Sequence, residues 1–136
     1  LSSLFDPSFA VRIDGIRSFV RVCFEKQPSE TDFERMLVYN AQTAPVFMRG
    51  ASSMKMDGVD ALLRKLSLPV LVSQGDADRL VPVSAARFIA ERVPGAQLSM
   101  YPGIGHSPFY EEHGRFNREL AAFAQQNQKR ARPSSR

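Results

Sequence analysis

The chain has 136 residues, 43% of them hydrophobic and 24% charged, with 10 phenylalanines; that is one domain or less, and too apolar for a disordered polypeptide. No apolar run nears the roughly 18 residues a membrane-spanning helix needs, and a single cysteine, Cys23, excludes an internal disulfide or a cysteine-built zinc cage. The net charge of +4 points toward nucleic acid only until its distribution is read: Lys129, Arg130, Arg132 and Arg136 lie in residues 125–136, and the rest balances at 14 basic and 14 acidic residues.

Residues 1–66 read as helices. Ile16, Phe19, Val20, Cys23 and Phe24 form one apolar stripe, which predicts a helix from about Asp14 to Lys26, ended by Pro28. Thr31 and Glu34 have capping-box spacing, and Phe33, Met36 and Leu37 carry a second helix to about Gln42. Ala44-Pro45 opens a short apolar turn (Val46, Phe47, Met48), and Val59, Leu62, Leu63 and Leu66 mark a further helix from about Asp57.

From Pro69 the pattern changes. The run Leu68 to Val72, stopped at Gln74-Gly75, predicts a strand buried on both faces. Pro82 opens a helix whose apolar positions are Val83, Ala86, Ile89, Ala90 and Val93, and Pro94-Gly95 closes it. Gln97 to Tyr101 is a second strand, and a last helix runs from about Tyr110 to Ala124 with Phe116, Leu120 and Phe123 on one face. This is a βαβα unit, hence a parallel pair with a right-handed crossover. Two parallel strands leave two edges open, so the sheet calls for more strands than the chain supplies. Residues 125–136 hold nothing to bury and no aromatics for base stacking; they read as a disordered basic tail, and neither nucleic acid nor membrane is expected as a partner. The chain starts at Leu1 without a leader-like segment. The expectations are a cytoplasmic location and an upstream piece, or a start residue, that is missing.

Two loops carry the chemistry. Gly75 to Pro82 leaves the first strand and Pro102 to Phe109 leaves the second, and in a parallel sheet both emerge on the edge where ligand sites gather. About 11 helical residues return roughly 16 Å, and five strand residues climb roughly 17 Å. Asp78 and His106, 28 positions apart, are therefore expected side by side. A carboxylate there fixes the imidazole tautomer and stabilises the imidazolium formed when the ring takes a proton.

The stretch LPVLVSQGDADRLVP…VPGAQLSMYPGIGHSPFYEE resembles the C-terminal part of the α/β-hydrolase family. Gly75, Asp78 and Pro82 match its G-x-x-D-x-x-x-P acid loop, and Gly105-His106 its histidine loop. The resemblance implies a partial α/β-hydrolase fold: a helical cap (residues 1–56), the end of the core (57–124) and the tail (125–136). It further implies cofactor-free, metal-free hydrolysis of an ester, lactone or similar small apolar substrate, with Asp78 orienting His106 as general base and then acid for an upstream nucleophile. A family member with an aspartate nucleophile (epoxide hydrolase or dehalogenase) or a cofactor-free haloperoxidase is the alternative. So is a non-catalytic interaction protein that retains the half-fold and pairs its open sheet edge with a partner. The partners expected of the chain are a small apolar ester-like substrate and the missing N-terminal part of the fold or an oligomeric partner.

The departures from the family matter as much. No G-x-S-x-G occurs, Ser73 lies in the first strand without an elbow, and no oxyanion-hole loop is present, so this chain alone is expected to be inactive. Other residues have plainer readings. Asp78 could cap the helix at Pro82, and Asp76 is a rival acid disfavoured by its spacing to Pro82. Gly103-Ile104-Gly105 fails as a dinucleotide fingerprint because Pro108 stands at the third glycine. His113, among Glu111, Glu112 and Arg115, reads as solvated. Cys23 reads as packing, and Phe47, Met48 and Met54 as packing at least as well as pocket lining.

Overall fold

The computed structural model describes residues 2–43, 50 and 56–131. A 3-10 turn (Ser2–Phe5) precedes α1 (Phe9–Val22) and α2 (Glu30–Ala41); α3 (Val59–Arg64) leads into β1 (Leu71–Gly75), α4 (Val83–Arg92), β2 (Gln97–Tyr101), α5 (Pro108–Glu111) and α6 (His113–Ala131). The expected apolar turn at Val46 to Met48, Met54, and Arg132 and Arg136 of the tail lie outside the described residues.

The N-terminal helices close on themselves. Leu4, Ile16, Val20, Phe24 and Phe33 form a buried cluster, with Phe19, Cys23, Met36 and Leu37 packed against it. Apart from Leu4, these are the apolar positions predicted for the first two helices, but α1 begins at Phe9, five residues early, and stops at Val22 rather than Lys26. Phe9 and Val11 are exposed, so the first turns lack the apolar period that marks the rest. The second helix starts with a different cap from the expected Thr31: the Ser29 hydroxyl accepts from Asp32 N–H at 3.2 Å.

The second half is the expected βαβα unit. β1 and β2 pair in parallel with Leu71 opposite Gln97 and Gly75 opposite Tyr101. Burial of β1 on both faces is not observed: Leu71, Val72 and Ser73 are half-buried, and only Gln74 and Gly75 are buried. The physical reason is that a two-stranded sheet offers too few neighbours to cover both sides. The strand also starts at Leu71 and not Leu68, which stands exposed; Pro69 has no N–H to donate, and pairing begins where Val70 C=O accepts from Gln97 N–H.

The terminal helix also differs from expectation. It breaks at Glu112 into α5 and α6, and α6 continues to Ala131, so residues 125–131 are helical where a disordered tail was expected. Gln, Lys, Arg and Ala are good helix formers, and the first strong breaker is Pro133. Glu119 holds α6 to the sheet: its Oε2 accepts from the hydroxyls of Ser99 (2.6 Å) and Tyr101 (2.7 Å), while Arg115 donates to its Oε1 (2.7 Å) and lies over the buried Tyr101 ring. At the other side, Asp60 of α3 is bonded by Arg64 and by Arg92 of α4.

Side-chain contacts dock the N-terminal helices onto the acid loop and α5. Arg79 donates to Phe24 C=O (3.1 Å) and pairs with Glu25. Tyr110 Oη donates to Asp32 of α2 (2.9 Å), and its ring meets Phe24 edge-on at 5.4 Å. Lys26 pairs with Glu112 at 2.8 Å.

Candidate active site

Asp78 and His106 meet. The Nδ1 of His106 lies 2.8 Å from Oδ2 of Asp78, as the topology required: one residue leaves β1, the other β2, and the strands run the same way. An ionised carboxylate can only accept, so Nδ1 carries the proton and Nε2 is left with the lone pair. The Asp78 side chain is 3% exposed and that of His106 42%. The acid is shielded and the base is open.

Asp78 is held on every side. Its Oδ1 accepts from Leu80 N–H (2.8 Å) and Val81 N–H (3.0 Å), and its Oδ2 also accepts from Gln74 Nε2 (2.9 Å). Burial works against the charge, but the bonds from Val81, His106, Leu80 and Gln74 outweigh it and hold the carboxyl below the usual carboxylate range. The plainer reading, a cap on α4, does not hold: the bonds stop at Val81, ahead of the helix, and form a turn that aims the second oxygen at the ring.

The rival acid, Asp76, has a different task. Its Oδ1 accepts from Gly103 N–H at 2.7 Å, while Asp76 N–H and Ala77 N–H donate to the carbonyls of Tyr101 and Ile104. The two loops are thus laced backbone to backbone. A Cβ at Gly75 would overlap the carbonyl oxygens of Ile104 and Gly105, so the approach depends on that glycine. Of the glycines flanking Ile104, Gly103 has φ of 65° and turns the chain. Gly105 instead permits contact, since a Cβ there would meet Glu25 N at 2.7 Å.

His113 is exposed at the head of α6, as expected. Cys23 is half-buried at the end of α1 and donates to Phe19 C=O; burial and then the charge of Asp78 push its thiol up, which disfavours the thiolate a nucleophile needs. Ser73 sits mid-strand opposite Ser99. A cleft of about 320 Å³ lies beside the acid loop, between Arg79 and Leu80 and the α1 residues Gly15, Ser18, Phe19 and Val22. Among the described residues no cluster of His, Cys, Asp or Glu could hold a metal ion, and no helix is long and apolar enough to cross a membrane.

Two residues of this site were not singled out from the sequence. Gln74 is buried and donates to Asp78, Gly75 C=O and Val81 C=O; its signal was a polar residue ending an apolar strand. Glu111 accepts from Gly105 N–H, and it was passed over because the charge-rich segment around it reads as a solvated face.

A parallel βαβ unit whose acid loop and histidine loop meet at one rim defines the end of an α/β-hydrolase fold. Comparison with known proteins agrees. Residues 34–113 match the family model described as serine aminopeptidase, S33, and the chain belongs to that family. It is 44% identical to the monoacylglycerol lipase of Mycolicibacterium smegmatis over 48 residues, which are 34% of this chain and 17% of the lipase. It is 39% identical to a non-heme chloroperoxidase of Kitasatospora aureofaciens over 66 residues, 45% of this chain and 23% of that protein. The esterase RhEst1 from Rhodococcus sp. superposes with a TM-score of 0.78 at 30% identity, covering 90% of this chain and 44% of the esterase. The chain therefore spans less than half the length of these relatives.

Proposed function

We propose that this chain supplies the acid and base of a hydrolase acting on small apolar esters or lactones, as the C-terminal portion of a complete α/β-hydrolase whose N-terminal helices serve as a cap. The observation that carries this reading is the 2.8 Å contact between a buried, charge-stabilised Asp78 and a solvent-open His106. His106 Nε2 takes the proton of a nucleophile from outside this chain, Asp78 stabilises the resulting imidazolium, and the ring returns the proton to the leaving group. Relatives named as lipase and esterase support an ester substrate. No cofactor enters the scheme. Without nucleophile or oxyanion hole, the 136-residue chain turns over no ester on its own.

The test has two arms. The coding sequence ahead of Leu1 is expected to encode a G-x-S-x-G elbow in frame. In a protein that includes it, His106→Ala and Asp78→Asn are each expected to lower kcat by roughly 10³–10⁴-fold or more. Full turnover by His106→Ala overturns the reading, as does His106-dependent esterase activity of the isolated chain for the inactivity expected of it.

A further inference from the structure

Glu111 receives three backbone N–H groups, from both sides of a contact between two segments. Its Oε1 accepts from Gly105 N–H (3.0 Å), and its Oε2 accepts from Glu25 N–H (3.1 Å) and Lys26 N–H (2.7 Å). Lys26, the nearest candidate cation by position, donates its ammonium to Glu112 instead. Charge-assisted bonds of this kind are roughly twice as strong as neutral ones.

Their placement gives them a role. Gly105 immediately precedes His106, is buried, and lies so close to the α1–α2 connection that a Cβ would strike it. One carboxylate therefore pins two backbones that touch but cannot bond each other, since both present N–H donors. Asp78 needs no such help, because Leu80 and Val81 N–H fix it independently. His106 is bonded to Asp78, and the lacing from Asp76 and Ala77 beneath it reaches only as far as Ile104, short of Gly105.

We propose that Glu111 is a positioning residue for His106. By bridging Gly105 to Glu25 and Lys26 it sets the ring at bonding distance from Asp78 and ties that setting to the N-terminal helices. Without it the Gly105 N–H is left unsatisfied, the loop pivots, and the ring leaves the carboxylate while Asp78 stays. This rests on the reading of His106 as the base.

The chain has two histidines, so 15N-histidine labelling and long-range proton–nitrogen spectra report the tautomer of each ring, with exposed His113 as internal reference. The unsubstituted chain is expected to show His106 as a single Nδ1-protonated tautomer and His113 as a mixture. In Glu111→Ala, His106 is expected to become a mixture too. Its Nδ1–H should exchange with solvent about tenfold faster, the factor for roughly one such bond, while the His113 signals and helix content hold. A single His106 tautomer in a folded Glu111→Ala chain overturns the proposal. If that variant loses helix content, Glu111→Gln decides: it keeps the volume and one accepting oxygen, so a partial mixture on a folded chain supports positioning and an unchanged tautomer overturns it. A mixture already present in the unsubstituted chain overturns the Asp78–His106 pair itself, which the variants alone would not touch.

Discussion

The two halves of the molecule are stabilised by different means. Around α1 and α2 an apolar cluster of Leu4, Ile16, Val20, Phe24 and Phe33 is sealed from water. Around β1 and β2 the strands stay half-covered, and the buried positions include Gln74 and Ser107 beside Tyr101 and Ile104. The sheet half is held by polar lacing: Asp76 to Gly103, Asp78 to its turn, and Glu119 to Ser99 and Tyr101. Apolar packing tolerates no hole but is indifferent to direction, whereas hydrogen bonds fix direction. The half that carries the Asp78–His106 pair is the one built on direction.

That contrast can be broken experimentally. The largest effect is expected in the apolar half. Phe33 is fully buried under the Arg21 guanidinium, and Phe33→Ala should cost about 3–5 kcal/mol in denaturant unfolding. The tautomer of His106 in the remaining folded chain should not change. Loss of that tautomer along with stability would mean the halves are not separable.

Gly75→Ala should do the reverse. Its Cβ would drive into the Ile104 and Gly105 carbonyls, costing about 1–3 kcal/mol as overpacking and parting the loops enough to lengthen the Asp78–His106 contact. Nuclear magnetic resonance of the His106 ring checks it. An unchanged ring would show that the backbone yields elsewhere.

Acid tests the lacing. Glu119 sits at about 2: burial raises it, but the bonds from Ser99, Tyr101 and Arg115 prevail. A carboxyl depressed on folding contributes its full stability above its ordinary value near 4.5, and that contribution fades as pH falls from there through 2. Glu119→Gln should therefore unfold at lower denaturant than the parent at pH 7, with the gap closing toward pH 2. A gap that stays constant with pH would remove Glu119's charge from the account.

The smallest effect separates two candidate helix caps. Ser29→Ala should cost about 1 kcal/mol, while Thr31→Ala should stay within about 0.5 kcal/mol; equal losses would return the cap to the position the sequence suggested.

How much of this was legible before the structure follows from the same contrast. The βαβα unit and its two loops were readable because punctuating residues sit at each boundary: Pro69, Gly75, Pro82, Pro94-Gly95 and Pro102-Gly103. β2 falls where its residues placed it, and Asp78 meets His106 because parallel topology leaves no other rim. Helix starts were less readable. Phe9 and Val11 face solvent and hide the first turns of α1, and Ser29 and Thr31 offer rival caps two residues apart. Least legible were Gln74, which donates to Asp78 and to two carbonyls within its own loop, and Glu111, whose partners at Glu25 and Lys26 are backbone groups distant in sequence. No spacing rule marks a side chain whose work is to satisfy another group's hydrogen bonds.

The Tyr101–Glu119 bond has an optical consequence. The chain lacks tryptophan and has three tyrosines. Tyr101 and Tyr110 each donate their phenol to a carboxylate, and Tyr39 is exposed. A phenol hydrogen-bonded to a carboxylate loses its excited state to proton transfer, so the native chain should be dim in the ultraviolet and brighten as it unfolds. Glu119→Gln should recover the share of that emission belonging to Tyr101, a label-free gauge of whether α6 is seated on the sheet.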